Sequence, residues 1–278
     1  VVIGTVKAET RNDRAFAPIS VLLLIVLAGM QWASGAASAE YDGHPDEAAH
    51  FVTSLAMHDY TLQFVAGTAP APWRTGALLE WGAQYYLHYP RVALGHWPPL
   101  WPMLLGTWML FFGVSRLAVL ILVLVMGWVS LLALYRLARS ALPVGGAIAV
   151  PLLILATPVF QEALGMTMAE MAVFATSVLF LATLTGYLRS YRSASALPFA
   201  ASLFLGILTK GTAACWGLLV PLVLAGSEHW RKRALIVLPP LCLGAIWYLS
   251  MGRATMWGGM TLALPWPAPL AGQIAGWG

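Results

Sequence analysis

The chain has 278 residues, of which 60% are hydrophobic and only 9% are charged. Soluble domains contain about 45–50% apolar and about 25% charged residues, and a mean hydropathy of +0.77 excludes an ordinary soluble fold. The composition therefore predicts a polytopic membrane protein. The net charge of +4 comes from basic residues scattered between apolar segments, which fits membrane anchoring and argues against a nucleic-acid partner.

The first apolar segment, residues 18–37, predicts a membrane-spanning helix. Lys7, Arg11 and Arg14 precede it, so the positive-inside rule predicts a cytoplasmic N-terminus. A cleaved signal peptide is the alternative, because small residues follow the apolar run. Both interpretations place residues 38–97, the first extracytoplasmic loop, on the outer side of the membrane.

This first loop holds most of the titratable groups. Six of the eleven acidic residues and five of the six histidines lie between positions 40 and 96. Its first half predicts a helix, because Ala48, Phe51, Val52 and Leu55 recur at helical spacing on one face. We expect that face to lie along the membrane surface, and the aromatic second half of the loop is also typical of the interface.

Further apolar segments follow at about 98–114, 117–135, 141–160, 168–188, 196–209, 212–227 and 234–251. Basic residues between them predict which ends are cytoplasmic, namely Arg136, Arg139, Arg189, Arg192, Arg231, Lys232 and Arg233. Residues 161–170 and Lys210 then fall on the outer side. This assignment requires 98–114 to enter the membrane and return, or to lie shallow.

The predicted fold class is therefore all-α, a polytopic transmembrane helical bundle with a large first outer loop carrying interfacial helices. We interpret residues 1–278 as a single membrane domain. Because the chain ends soon after an outward crossing, we expect it to be a fragment, or a short form, of a longer protein.

Asp46 and Glu47 are the first candidates for chemistry. Pro45 followed by two acids is how many helices begin, with proline in the first turn and carboxylates near the positive end of the helix dipole. A carboxylate pair just outside a membrane can also act as a general base on a hydroxyl, or hold a divalent cation such as Mg²⁺, Mn²⁺ or Zn²⁺. The sequence leaves both interpretations open.

His50 lies four residues after Asp46, so the two share a helix face and predict a hydrogen bond or a shared metal; an interfacial histidine is the simpler interpretation. The run from Asp46 to His50 differs from the His-Glu-x-x-His zinc-protease pattern at its first position, which disfavours a metalloprotease. His96, before a double proline, is expected near the same outer surface.

Lys210 lies between two apolar segments, where a lysine is often a snorkelling anchor. On the outer side it would be a counter-ion for a phosphate. Glu162 and Glu170 bracket the remaining outer loop and are weaker candidates for binding.

Three pieces of this sequence resemble the GT-C class of integral-membrane glycosyltransferases, in particular the dolichyl-phosphate-mannose–protein mannosyltransferases and the lipid A aminoarabinose transferases. An acidic pair, Asp46-Glu47, follows the first span. A "HWPPL" start to the next apolar helix occupies residues 96–100. A "GILTK" segment, residues 206–210, ends a later span. The resemblance covers most of residues 18–227.

The resemblance implies transfer of a sugar from a polyprenyl-phosphate donor to a glycan, lipid or protein acceptor at the outer face of the membrane. It implies that Asp46 is the base, that Glu47 supports it or helps to hold a cation, and that Lys210 contacts the lipid phosphate. The expected location is a bacterial inner membrane with an extracytoplasmic site. The alternatives are a transporter or flippase for a lipid or small solute, and a scaffold without chemistry.

Overall fold

The structure, a computed structural model, describes residues 13–41, 44–74, 77–89, 97–190, 193–224 and 230–255. Within these ranges it contains helices and no strand, which confirms the predicted all-α class. The helices are α1 (Phe16–Ala33), α2 (Pro45–Val65), α3 (Ala77–His88), α4 (Leu100–Phe112), α5 (Arg116–Arg139), α6 (Val144–Leu155), α7 (Pro158–Gly165), α8 (Glu170–Ser190), α9 (Ser193–Thr209), a 3₁₀ helix (Gly211–Leu219), α10 (Val220–Leu224) and α11 (Trp230–Thr255).

Three of the described helices, α1, α5 and α8, are long and apolar enough to cross a membrane. The pair α6 and α7 would add a fourth crossing if the two helices act as one bent span. By length and composition, the described part of the chain is therefore compatible with an integral membrane protein.

The predicted apolar segment 141–160 is broken into two helices rather than forming one straight span. The axes of α6 and α7 differ by 65°. The break has a local cause, because Thr157 caps α7 by accepting a hydrogen bond from the Phe160 amide at 3.4 Å, and Pro158 cannot continue α6. Gln161 donates to the Leu155 carbonyl at 2.9 Å, which satisfies an acceptor that the break releases.

A second predicted segment, 212–227, is also not one α-helix over its described part, residues 212–224. It begins as the 3₁₀ helix and continues as the five-residue α10. Glycines at positions 211 and 217 and a proline at 221 lower the helix propensity of this stretch. It packs beside α9 and α11 and shares a core with them, which includes Phe180, Phe199 and Leu203.

Helix α1 runs antiparallel to α5 and α8, which are parallel to each other, so the start of α1 lies at the same side as the ends of α5 and α8. Asp13, before α1, accepts hydrogen bonds from Tyr135 at 2.7 Å and from Arg139 at 3.3 Å, both near the end of α5. Arg189, at the end of α8, donates to Ser140 at 2.6 Å. We call this side the Asp13 end; the sequence predicted that these arginines share one side of the protein.

The opposite side, which we call the Arg116 end, collects the end of α1, the start of α5 and the end of α7. Arg116 donates from Nε to the Ala36 carbonyl at 2.6 Å and from Nη2 to the Gly165 carbonyl at 3.2 Å. The chain thus leaves α1 and enters α5 at the same end, as expected if the segment 98–114 does not cross completely. Helix α4 has 13 residues, about 20 Å, against a hydrocarbon core of about 30 Å.

Helix α2 has the predicted start, but a different face is most deeply buried. On the predicted face, Ala48 is buried, but Phe51, Val52 and Leu55 are only partly buried, whereas Thr53 and Ser54 are 3% and 0% exposed. The reason is a close approach of α4. A Cβ atom on Gly106 would lie 2.7 Å from the Ser54 carbonyl oxygen, so small residues form this contact as they do between many membrane helices.

Candidate functional site

The first turn of α2 presents two carboxylates to different surroundings. The Asp46 amide donates to His44 Nδ1 at 3.2 Å, so a histidine caps the helix. Asp46 itself is exposed, while Glu47, one residue later, is only 2% exposed. Consecutive residues on a helix point in different directions. The acidic pair therefore divides into one solvent-accessible carboxylate and one buried carboxylate.

Glu47 is held by two groups from distant parts of the chain. Its Oε1 atom lies 3.0 Å from Arg116 Nη2 and accepts the Thr167 amide at 2.9 Å. Thr167 lies just before α8 and is fully buried. A buried carboxylate needs this compensation, because an unpaired charge in a medium of low dielectric constant is costly. Three helix starts, those of α2, α5 and α8, therefore meet at Glu47.

Arg116 is the centre of this arrangement. Besides Glu47, its guanidinium donates to the carbonyls of Ala36 and Gly165, and it lies 4.8 Å from the centre of the Tyr41 ring. The planar fork of arginine suits several simultaneous bonds of this kind. Tyr41 lies outside the spanning helices, and burial raises the pKa of its hydroxyl to about 12, so the ring is neutral at physiological pH.

Several buried polar atoms at the Arg116 end have no hydrogen-bond partner among the described residues. They include Arg116 Nη1, Thr167 Oγ1 and Glu170 Oε2. Leaving a buried donor or acceptor unpaired costs about 1–3 kcal/mol, and most such groups in native proteins bind protein or water. Arg116 Nη1 and the Thr167 hydroxyl can donate and are chemically suited to an anion or to ordered water, whereas Glu170 Oε2 only accepts.

Glu170 and Lys210 form a second ion pair at the same end of the bundle. Glu170 begins α8, three residues after Thr167, and Lys210 follows α9 directly. Both side chains are about one-third exposed, at 31% and 35%. The predicted contact of Lys210 with a phosphate stays a prediction; in the structure its partner is Glu170, and the pair is open enough to exchange partners with a bound ligand.

The other predicted residues are more scattered. His50 is 3% exposed and stacks on Trp97, with 4.0 Å between the ring centres, so it is a buried residue. Glu162 is exposed on α7. His96 lies outside the described residues.

The suggestion of a divalent cation between Asp46 and Glu47 stays a prediction. In the ranges that the structure describes, no three His, Cys, Asp or Glu side chains come together as a metal-binding group. The two carboxylates also differ in exposure, and Arg116 already balances Glu47. We derive no chemical step through a cation at this position.

The sequence interpretation missed Arg116, Thr167 and Tyr41. A signal existed for Arg116, since a cation at the start of an apolar segment on the predicted outer side runs against the positive-inside rule. The same reasoning had already selected Lys210. No comparable signal marks Thr167 or Tyr41, whose roles depend on contacts between distant segments.

Comparison of the chain with protein-family models, with curated proteins and with solved structures finds no match in any of the three.

Proposed function

We propose that the protein is an integral-membrane glycosyltransferase of the GT-C kind, which moves a sugar from a polyprenyl phosphate to an acceptor at the outer face of the membrane. The observation that carries the proposal is the different exposure of the two adjacent carboxylates at the start of α2. Asp46 is exposed, while Glu47 beside it is buried against Arg116. This arrangement supports a role in which the exposed Asp46 carboxylate reacts, while the ion pair of Glu47 with Arg116 holds the start of α2 in place.

Asp46 is the base in this proposal. It takes the proton from an acceptor hydroxyl as the hydroxyl oxygen forms a bond to the anomeric carbon of the sugar. The bond between that carbon and the phosphate oxygen breaks, and its electron pair leaves with the polyprenyl phosphate. The phosphodiester, with one negative charge, becomes a monoester that carries a second one.

The cations at the Arg116 end support the second half of this step. The leaving phosphate gains charge as the bond breaks, so a cation nearby stabilises the transition state more than the ground state. Lys210 is one-third exposed and bound to Glu170, and we assign it contact with the phosphate. Arg116 is 10% exposed and acts as a positioning residue that holds Glu47 and the start of α2.

The surroundings are compatible with a lipid-linked donor. The three apolar helices long enough to span a membrane would supply the apolar walls for a polyprenyl chain, and the polar cluster lies at the ends of two of them, α5 and α8. We place this end on the outer side of a bacterial inner membrane, because Arg136, Arg139 and Arg189 lie at the Asp13 end.

A transporter or flippase is the competing function, and the 65° break between α6 and α7 favours it, because broken helices build many transporter sites. Against it, the ion pairs of Glu47 and Lys210 lie at helix ends and not in the middle of spanning helices. The two functions differ in whether a covalent product forms.

The test follows lipid-linked sugars by mass spectrometry in membranes that contain the full-length gene product. Wild type is compared with Asp46→Asn and with Glu40→Gln, another exposed carboxylate changed to its amide. We expect polyprenyl phosphate to form in wild type and Glu40→Gln, and to fall by about 100-fold or more in Asp46→Asn at equal protein level.

Equal turnover in wild type and Asp46→Asn would reject Asp46 as the base and move the search to Glu162 and Glu170. No turnover in any sample, with movement of the intact lipid between leaflets, would reject the transferase and favour the transporter.

A further inference from the structure

A second polar cluster lies farther along α2, away from the Arg116 end. Asp59 accepts a hydrogen bond from the Tyr85 hydroxyl at 2.9 Å through Oδ2, and its Oδ1 lies 2.8 Å from His58 Nδ1. An ionised carboxylate can only accept hydrogen bonds, so Nδ1 carries the proton in this contact. The other ring nitrogen, Nε2, is then left to bond a hydroxyl group of a ligand. Asp46 is about 20 Å away along the helix.

A purely structural role explains only half of this cluster. The bond from Tyr85 to Asp59 ties α3 to α2, and Tyr85 is 8% exposed. The contact of His58 with Asp59 joins two neighbours on one helix and adds no link between helices. Adjacent side chains on a helix do not normally face each other, so this contact fixes the imidazole at an entropic cost without adding tertiary structure.

A stack of aromatic rings adjoins the cluster. Trp81 stacks on Tyr85 with ring centres 5.0 Å apart, and Tyr85 stacks on Tyr89 at 4.7 Å. Trp81 also donates to Gln63 at 2.8 Å, which fixes the plane of the first ring. Tyr89 closes the stack and is 41% exposed, so this ring remains available to a ligand. Aromatic faces are electron-rich and suit the weakly positive C–H groups of a sugar ring.

The alternative occupant is membrane lipid, and the polar residues disfavour it at this face. Glu80, Gln84 and His88 recur every fourth position on α3 and are exposed. Asp59 is 29% exposed. Placing these groups in hydrocarbon is costly. A neutral ligand with a ring and many hydroxyl groups fits both the fixed polar atoms and the ring stack.

We propose that His58, Asp59 and Tyr89, supported by Tyr85, form a carbohydrate subsite that binds a sugar of the acceptor, whose class is therefore a glycan. The hydroxyl groups bond to His58 Nε2 and to the accessible edge of Asp59, and the ring packs on Tyr89. The identification of this sugar as the acceptor rests on the proposed function; the binding of carbohydrate does not.

The test measures binding without turnover. Purified full-length protein in lipid nanodiscs is mixed with chitotriose, mannotriose, maltotriose or cellotriose, with no lipid-linked donor present, and ligand-observed saturation-transfer NMR gives the affinity. We expect binding of at least one trisaccharide. Asp59→Asn and Tyr89→Ala should each weaken it by about tenfold or more. Trp73→Ala, which removes a 79% exposed ring outside the stack, should leave it unchanged.

Binding of none of the four sugars, or equal binding by all variants, would overturn the inference. The lipid alternative is tested with a spin label at Gln84→Cys, after Cys215→Ser and Cys242→Ser remove the two exposed thiols. Greater accessibility to oxygen than to a water-soluble nickel chelate would place this face in lipid and also overturn it. Trisaccharide binding without sugar transfer would reject the proposed function alone, while transfer without binding would reject only this subsite.

Discussion

The Glu47 carboxylate lies 3.0 Å from the Arg116 guanidinium, and both side chains are buried, at 2% and 10% exposure. The pair joins the first turn of α2 to the first turn of α5. Burying two charges together gains little net stability, but removing one partner leaves the other uncompensated in a poorly solvated place. Asp46, the adjacent carboxylate, has no such constraint because it is exposed.

Glu47→Gln should therefore lower the free energy of unfolding by about 3–5 kcal/mol, whereas Asp46→Asn should change it by no more than about 0.5 kcal/mol. Thermal melting of the purified variants in detergent, followed by fluorescence-detected size exclusion, compares them directly. Equal melting temperatures for the two variants would contradict a structural role for Glu47. Comparing these two variants also separates an effect on stability from an effect on the reaction, because only Asp46→Asn should lose turnover while the protein stays folded.

Arg116→Lys should destabilise the protein although the charge is kept. Lysine cannot reproduce the bonds to Ala36, Gly165 and Glu47, which use two different nitrogens of the guanidinium. We expect a loss of about 2–4 kcal/mol, from an unpaired acceptor and a weakened ion pair. Arg189→Lys, at an exposed site with one bond to Ser140, is the matched control and should melt like wild type. A similar melting temperature for both lysine variants would argue against the central position of Arg116.

Gly106→Ala should disturb the contact between α4 and α2. The added Cβ would lie 2.7 Å from the Ser54 carbonyl oxygen and 2.9 Å from Met57 Cβ, so the helices must separate. Overpacking of this kind costs about 1–3 kcal/mol. Gly186→Ala, where nothing lies within 4 Å of the new Cβ, provides the control. If Gly106→Ala and Gly186→Ala have the same melting temperature, the result would contradict the close approach of α4 to α2.

Asp13 should contribute stability that disappears in acid. The hydrogen bond from Tyr135 is the largest cause that lowers the pKa of this carboxyl below its ordinary value, with help from the Ala15 amide and Arg139 against the effect of burial. A carboxyl whose pKa is depressed in the folded state stabilises the fold above its unfolded pKa, about 3.9, and loses that contribution as the pH falls through the folded value.

The measurement is the melting temperature of wild type and Asp13→Asn at a series of pH values from about 7 to about 3. Wild type should be more stable at neutral pH, and the difference should shrink on acidification. A constant difference across the series would show that the carboxylate charge is not what stabilises this end.

The sequence predicted the apolar helices well, because membrane helices leave a direct signal in hydropathy. The segment 117–135 became α5 (Arg116–Arg139), and Pro45 did begin α2. Hydropathy does not predict where a long apolar segment bends. The break at Thr157 depends on a cap and a following proline, and a hydropathy window averages over both.

The candidate site was only partly predictable for a different reason. Asp46, Glu47, Glu170 and Lys210 could be named because charges are rare in this chain. That Glu47 pairs with Arg116, and Glu170 with Lys210, depends on which helix ends meet. Periodicity along one helix carries no information on partners from another, so the division between an exposed Asp46 and a buried Glu47 emerged only with the packing of α2.

The two ion pairs at the Arg116 end also bear on how such a chain can be inserted. In our orientation, Arg116 and Lys210 must be carried out across a membrane whose cytoplasmic side is electrically negative, at about 2.3 kcal/mol for each elementary charge per 100 mV. Each cation has its own carboxylate partner, Glu47 or Glu170. A cation that is translocated together with its carboxylate moves no net charge through the field. The membrane voltage then does no work against the pair, and the arginines at the Asp13 end, Arg136, Arg139 and Arg189, hold the orientation.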